Sequence, residues 1–190
     1  MRIITGKAKG ITLKTLDGNA TRPTAERVKE AVFSMIQFDI EGRSVLDLFA
    51  GSGQLGLEAL SRGAQSSVFV DKSRDAIGII KSNIEKTKFT EQSEVYQADY
   101  LDFLKRYSHK KFDIVFLDPP YNLKMYTPAL KAMLESNILK PSTFIVCESG
   151  ENELFDEDIS IKEKFAVAKK SKYSKTTITI LQPIFKEENQ

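Results

Sequence analysis

Three features of the 190-residue sequence predict a doubly wound, Rossmann-like α/β fold. From Ser44 to Glu148, short runs rich in Val, Ile and Phe alternate with amphipathic helical patterns. That alternation implies a mostly parallel sheet covered on both faces. A glycine-rich turn, Gly51-Ser52-Gly53-Gln54-Leu55-Gly56, follows the first apolar run and opens a helical pattern. The later strands end in Asp71, Asp99 and Asp118-Pro119-Pro120-Tyr121, and in open α/β sheets ligands gather at those C-terminal strand ends.

The elements follow in order. Residues 2–5 and 11–16 read as two short strands around a Gly-Lys turn, a small N-terminal hairpin. Thr21-Arg22-Pro23-Thr24 starts a helix with Thr24 as N-cap, and Val28, Ala31, Val32, Met35 and Ile36 share its apolar face. Gly42 ends this unit. Strands are then expected at 44–49, 67–71, 94–98, 112–118 and 143–148, and helices at 54–62, 74–87, 101–107 and 128–135. After Gly150 the helices stop. Residues 160–169 and 176–182 read as a C-terminal antiparallel hairpin at one sheet edge, and the tail 186–190 as disordered. The whole, 1–190, is expected to be one domain, with 1–42 an extension and 43–185 the catalytic core.

Composition narrows the function classes. Charged residues make up 28% and hydrophobic ones 41%, ordinary values for a globular protein. Net charge is only +2, so the distribution carries more information than the total. Residues 1–30 carry a net +4, Lys169, Lys170, Lys172 and Lys175 form a second basic cluster, and residues 148–163 carry a net −6. One positive face fits this pattern; so does ordinary solvated charge. The single cysteine, Cys147, sits in the apolar run TFIVC and reads as a buried strand residue. No internal disulfide is possible, in keeping with a reducing cytoplasm. The only histidine, His109, leaves no constellation for a zinc site or a Ser-His-Asp triad, so no metal is expected. No apolar h-region and no run of ~18 apolar residues is present, so neither a signal peptide nor a membrane span is expected.

Gly51 and Gly53 allow backbone to approach a ligand where a Cβ would clash. Asp71, 20 residues after Gly51, can accept the hydroxyls of a ribose. NAD and S-adenosylmethionine both carry that ribose, so the loop alone does not separate them. Asp47 does. A carboxylate inside the first strand would repel a pyrophosphate, whereas S-adenosylmethionine carries an ammonium and a sulfonium. Asp47, Asp71 and Asp99 together predict an acid-lined pocket, although Asp99 equally suits a helix N-cap.

Asp118-Pro119-Pro120-Tyr121 halts its strand, because proline cannot donate to a ladder. It fixes an acid, stiff carbonyls and an aromatic ring in a small space. That set suits an exocyclic amine on a nucleobase. Asp118 and the Pro119 carbonyl can each accept one N–H, turn the lone pair toward a methyl donor and stabilise the charge growing on nitrogen. Tyr121 can stack on the base. Tyr126 and Phe103 suit either the pocket wall or the core.

These segments, DLFAGSGQLGLEALSRGA, FVDKSRDA, QADYLDFL and FDIVFLDPPY, with RIITGKAKGITLKTL and TRPTAERVKEAVFSMI before them, resemble the bacterial 16S rRNA (guanine(966)-N(2))-methyltransferases. The resemblance implies a class I methyltransferase using S-adenosylmethionine on the N2 amine of a guanine. Its implied partner is 16S rRNA in the 30S subunit or an assembly intermediate. By this resemblance Asp118, Pro119, Pro120 and Tyr121 are catalytic. Asp47, Phe49, Gly51, Gly53, Asp71, Lys72, Asp99 and Tyr100 hold the cofactor. Lys7, Lys9, Arg22, Arg27 and Lys172 contact nucleic acid. A cytoplasmic monomer is expected. A DNA adenine-N6 methyltransferase would use the same four-residue motif; a dehydrogenase would leave it without a role. The N-terminal segment carries lysines where the family often has arginine, which gives up bidentate phosphate contacts. Lys172-Tyr173-Ser174 also departs from an Arg-Tyr-Gly-type turn.

Overall fold

The computed structural model of the chain describes residues 1–16, 23–107, 110–120, 124–150, 154–155, 159–173 and 176–185. Seven strands form one mixed sheet in the order β3-β2-β1-β4-β5-β7-β6. In chain order they are β1 (Ser44–Asp47), β2 (Ser66–Asp71), β3 (Ser93–Gln97), β4 (Phe112–Leu117), β5 (Leu139–Ser149), β6 (Phe165–Tyr173) and β7 (Thr176–Pro183). The helices are α1 (Pro23–Met35), α2 (Gln54–Ser61), α3 (Arg74–Thr87), α4 (Tyr100–Arg106), α5 (Tyr126–Glu135) and the single turn α6 (Ile159–Lys162). The first five strands pair in parallel, and β7 runs antiparallel to both β5 and β6. The doubly wound sheet and its C-terminal antiparallel hairpin match the sequence reading.

Strand alternation divides the core in two. Val45, Phe69, Ile114, Phe116, Val146 and Ile178 face one side, where Val32 and Phe33 of α1 with Ile36 just after it, Leu57 and Leu60 of α2, and Ile80 and Ile84 of α3 cover them. Leu46, Val68, Val115, Leu117, Ile145 and Cys147 face the other, under Phe103 and Leu104 of α4 and Leu130 and Met133 of α5. Phe103 is therefore core. Cys147 is fully buried, and burial, with Asp118 nearby, pushes its thiol pKa far above the ordinary range. It is inert as a nucleophile.

The N-terminal hairpin does not form. Only Arg2 and Thr12 bridge, supported by Ile3 N–H to the Ile11 carbonyl at 3.0 Å and Gly10 N–H to the Ile3 carbonyl at 2.9 Å. Backbone donors of this segment, Thr5 N–H on the ladder side among them, pair with helix side chains instead. Ile4 and Thr5 N–H donate to the Glu58 carboxylate at 2.8 and 3.0 Å. Ala8 N–H donates to Ser61 Oγ at 2.9 Å, and Lys14 N–H to Asn83 Oδ1 at 2.8 Å. The segment is laced to α2 and α3 by their side chains, with Ile3, Ala8 and Leu13 buried beneath.

Two smaller corrections concern helix starts. α1 begins at Pro23, so Thr24 lies inside the first turn and not at the cap. Proline suits that first position because its φ is preset and its missing N–H has no helical partner. Residues 159–162 form a helical turn, and the strand expected from 160 starts at Phe165. The expected tail 186–190 lies outside the described residues.

Candidate active site

The order β2-β1-β4-β5 makes the gap between β1 and β4 the point where successive connections diverge to opposite halves of the sheet. Ligands of doubly wound sheets bind in such a crevice, beyond the carboxyl ends of the strands. β1 and β4 pair with Asp47 opposite Phe116, and Leu48 N–H donates to the Phe116 carbonyl at 3.2 Å. The glycine loop after β1 and Asp118-Pro119-Pro120 after β4 are thereby neighbours. Tyr121 lies outside the described residues.

The loop is held from below. Gly51 has φ 54° and Gly53 φ 77°, left-handed values that glycine adopts without strain. A Cβ on Gly51 would meet nothing within 4 Å, so the backbone there borders open space. Gly56 has the opposite role: its Cβ would lie 2.3 Å from Phe69 Cε1, so glycine is what lets α2 settle on the sheet. Asp71 accepts Gly51 N–H with Oδ2 at 2.9 Å and Ser73 N–H with Oδ1 at 2.8 Å. It fixes the loop while its remaining lone pairs stay available. Asn83, fully buried on α3, donates to the Ser52 carbonyl at 2.9 Å and to the Lys14 carbonyl at 3.0 Å. One side chain thus ties the N-terminal segment to the glycine loop.

Asp47 does not present an open carboxylate. It is only 2% exposed, and Oδ2 accepts Gly56 N–H at 3.0 Å, serving the first turn of α2. Burial raises its pKa to about 7, against the opposing pull of the Gly56 N–H, and Asp71 adds to the rise. Asp99 is exposed and caps α4, accepting Leu101 N–H at 2.9 Å. Phe49 and Tyr100 pack with ring centroids 5.0 Å apart and form an aromatic wall beside it. Lys72 is exposed. The structure so brings together Asp47, Phe49, Gly51, Gly53, Asp71, Asp99 and Tyr100 along the β1, β2 and β3 ends, with Asp47 and Asp71 turned toward the loop's own amides.

Asp118 is half-buried and Pro119 buried. Burial pushes the Asp118 pKa well above the usual carboxylate range, and Glu148 and then Asp47 push it further. Tyr126 is half-buried at the start of α5, and its hydroxyl donates to the Glu148 carbonyl at the end of β5. It braces the far wall of the crevice.

The expected nucleic-acid residues are dispersed. Lys7 and Lys9 are exposed in a turn whose Lys7 N–H donates to the Ser61 carbonyl at 2.8 Å, at the C-terminal end of α2. That is one eight-residue helix, roughly 12 Å, from the glycine loop. Arg27 is exposed on α1, and Lys172 is exposed on edge strand β6. Arg22 lies outside the described residues.

Sequence reasoning missed Glu58, Asn83 and Gln54. Glu58 and Asn83 are fully buried polar side chains on otherwise apolar helix faces, which is the signal that would have marked them. Gln54 Oε1, next to Gly53, is buried with no hydrogen-bond partner among the described residues.

The Asp47 environment gives a testable sign. The unfolded carboxyl titrates near 3.8 and the folded one near 7. Stability from this group is complete below pH ~4 and is lost as pH rises toward 7, by up to about 4 kcal/mol. Asp47→Asn keeps an acceptor for Gly56 N–H and removes the titration. Urea denaturation should show the variant gaining on wild type between pH 4 and pH 8; a gap that stays constant would mean that Asp47 is not held in a desolvated site.

Comparisons with known proteins agree with this architecture. A family described as conserved hypothetical protein 95 matches residues 1–182. YlbH of Bacillus subtilis is 37% identical over 185 residues, covering 95% of this chain and 97% of that protein. Ribosomal RNA small subunit methyltransferase D of Haemophilus influenzae is 40% identical over 151 residues, 78% of each chain. Among solved structures, HI0767 of Haemophilus influenzae superposes with a TM-score of 0.79 at 32% identity, covering 97% of this chain and 98% of that one. Escherichia coli yhhF superposes with a TM-score of 0.81 at 26% identity, covering 96% and 97%. The chain belongs to this family, the class I S-adenosylmethionine-dependent methyltransferases that include YlbH and ribosomal RNA small subunit methyltransferase D.

Proposed function

We propose that this methyltransferase modifies the exocyclic N2 amine of a guanine in 16S rRNA, on the small ribosomal subunit or an assembly intermediate. The observation that carries the proposal is the placement of Asp118-Pro119-Pro120 beside the glycine loop at the β1–β4 gap. The rRNA substrate is supported by the likeness to the small-subunit enzyme of Haemophilus influenzae. Cytoplasmic action follows from that substrate. Residues 43–185 are the proposed catalytic core and 1–42 its extension.

The residues fit S-adenosylmethionine. Open space over Gly51, the orphaned Gln54 oxygen, the Phe49–Tyr100 wall and the carboxylates of Asp71 and Asp99 form a polar, anionic cradle with one aromatic side. A ribose suits Asp71 or Asp99, and an ammonium suits Gln54 with the loop carbonyls. S-adenosylmethionine supplies an electrophilic methyl group. All else is positioning by this chain. Asp118 and the Pro119 carbonyl accept the two amine N–H bonds and hold the nitrogen lone pair toward the loop. The same acceptors stabilise positive charge as it grows on nitrogen. No strong base is needed: the nitrogen becomes acidic only as it is alkylated, and the proton it then sheds passes to the Asp118 carboxylate. Tyr121 is assigned to stacking on the base. Lys7, Lys9, Arg22, Arg27 and Lys172 are assigned to phosphates, with affinity falling as salt rises.

The test uses S-adenosylmethionine labelled in the methyl group, with unmethylated 30S subunits, naked 16S rRNA and duplex DNA as acceptors. Labelled nucleosides are then identified by mass. N2-methylguanosine from 16S rRNA is the expected product. N6-methyladenine in DNA would keep the amine chemistry and overturn the substrate.

A further inference from the structure

We propose that Glu148 is the residue that selects guanine over the other amino bases, by accepting the ring N–H next to the amine held by Asp118. This rests on the guanine-N2 reading above and adds to it the group that reads the base.

The placement follows from sheet register. β4 and β5 pair in parallel with Phe116 opposite Val146 and Leu117 opposite Cys147. One step further lie Asp118 and Glu148. Phe116 and Val146 face the side covered by α1, α2 and α3, and Glu148 pairs on β7 with Ile178, which faces the same side. Alternation therefore puts the Asp118 and Glu148 side chains on that side, one strand spacing of about 4.8 Å apart. Of the charged groups acting on Asp118, Glu148 acts most strongly. The Tyr126 hydroxyl, bonded to the Glu148 carbonyl, fixes the backbone that carries it. Glu148 lies across Asp118 from the glycine loop, because β5 and β1 flank β4 on opposite sides. A base whose amine points from Asp118 toward the loop has its next edge atom directed toward β5.

Three bases carry an exocyclic amine. In guanine the amine lies between N3, which carries a lone pair, and N1, which bears a hydrogen; N1 is the neighbour on the Watson–Crick edge. In adenine that atom is N1 with a lone pair, and in cytosine it is N3 with a lone pair. Two adjacent carboxylates thus meet two adjacent donors, N2–H and N1–H, on guanine. They meet one donor and one repelling lone pair on adenine or cytosine. A site built to bond a hydrogen rejects the analogue that lacks it far more strongly than an apolar pocket rejects a wrong shape.

The experiment maps the labelled guanosine, then reconstitutes 30S subunits from transcripts with guanosine or adenosine at that position. kcat/KM for each is measured with wild type and Glu148→Gln, together with S-adenosylmethionine affinity. Wild type is expected to prefer guanosine by at least ~100-fold. The variant, whose amide can donate to adenine N1, should lose roughly 10–100-fold on guanosine and narrow the preference to less than about 10-fold. Cofactor affinity should stay within about two-fold, since Glu148 lies on the base side. Glu148→Asp, which keeps the charge but shortens the reach, should lose rate on guanosine without gaining adenosine, and it serves if the glutamine variant does not fold. An unchanged guanosine preference in the variants, even with lower rates, would make Glu148 merely structural and overturn this inference alone. No guanosine label from wild type in any rRNA would overturn the guanine-N2 reading and this inference with it.

Discussion

Asp118→Ala is expected to lower kcat for methyl transfer by about 10²–10³-fold while leaving S-adenosylmethionine affinity within a few-fold. The magnitude is that of removing one preorganised partner from a charge-developing transition state. The unequal effect on rate and cofactor binding follows from position: Asp118 follows β4, whereas the glycine loop follows β1 and Asp71 ends β2. Asp118→Asn sharpens the test. Asparagine still offers one oxygen to an amine N–H but no charge, so its loss should be smaller than that of alanine. It should also change the pH profile. Burial, Glu148 and Asp47 all push the Asp118 pKa up. A neutral carboxyl is a poorer acceptor than a carboxylate, so wild-type kcat should rise with pH through that raised pKa. The asparagine variant should lose this acid limb. Single-turnover methylation across pH, for the three proteins, reads all of this. An alanine variant retaining more than about a tenth of wild-type kcat would remove Asp118 from the chemistry.

The parallel core was legible because its signals are local. Val45-Leu46, Val68-Phe69-Val70 and Ile114-Val115-Phe116 are buried on both faces of the sheet, and such strands read as continuous apolar runs bounded by turn residues. Asp118-Pro119-Pro120 was legible because two prolines must end a strand. The limits were equally physical. The sequence predicts Asp47 as part of an acid-lined pocket, because it shows a carboxylate's position but not its direction; in the structure Asp47 turns to Gly56 N–H. Lys7 and Lys9 are expected to contact nucleic acid, but sequence does not say where on the surface they lie; the turn that carries them sits at the far end of α2 from the glycine loop.

The N-terminal segment shows the limit most clearly. Ile3, Ile4, Ile11 and Leu13 look like hairpin residues, and Ile3 and Leu13 are indeed buried. Backbone donors of the segment, Thr5 N–H on the ladder side among them, pair instead with side chains 53 to 69 positions away, on Glu58, Ser61 and Asn83. No local pattern encodes such partners. A reader of the sequence could still have asked why a glutamate stands in Gln54–Ser61, a helix whose residues from Leu55 to Ser61 are all buried.

That glutamate carries the largest stability effect expected here. Its fully buried carboxylate accepts Ile4 N–H and Thr5 N–H, pairs with Lys29 Nζ at 3.1 Å and with Arg62 Nε at 2.9 Å. Lys29 is itself buried, and its Nζ also donates to the Arg2 carbonyl at 2.6 Å. Burial draws the Lys29 pKa down and Glu58 opposes that fall. Four donors from the N-terminal segment, α1 and the residue that ends α2 therefore converge on one carboxylate. Glu58→Ala leaves a buried ammonium without its counter-charge and two backbone N–H groups without an acceptor, which should cost about 3–5 kcal/mol. For a domain of this size that is a fall in Tm of roughly 10 °C or more. Hydrogen exchange should show Ile4 and Thr5 losing protection before the sheet does, since the segment is released first. The double variant Lys29→Met, Glu58→Leu removes both charges and restores apolar volume, so it should recover much of the loss of Glu58→Ala. Recovery would identify the stranded lysine as the main cost. If the double variant is as unstable as Glu58→Ala, the two backbone N–H groups carry the cost instead, and the carboxylate acts chiefly as the anchor of residues 4 and 5. A Tm within about 2 °C of wild type for Glu58→Ala would refute the network as the device that holds the N-terminal segment against the catalytic sheet.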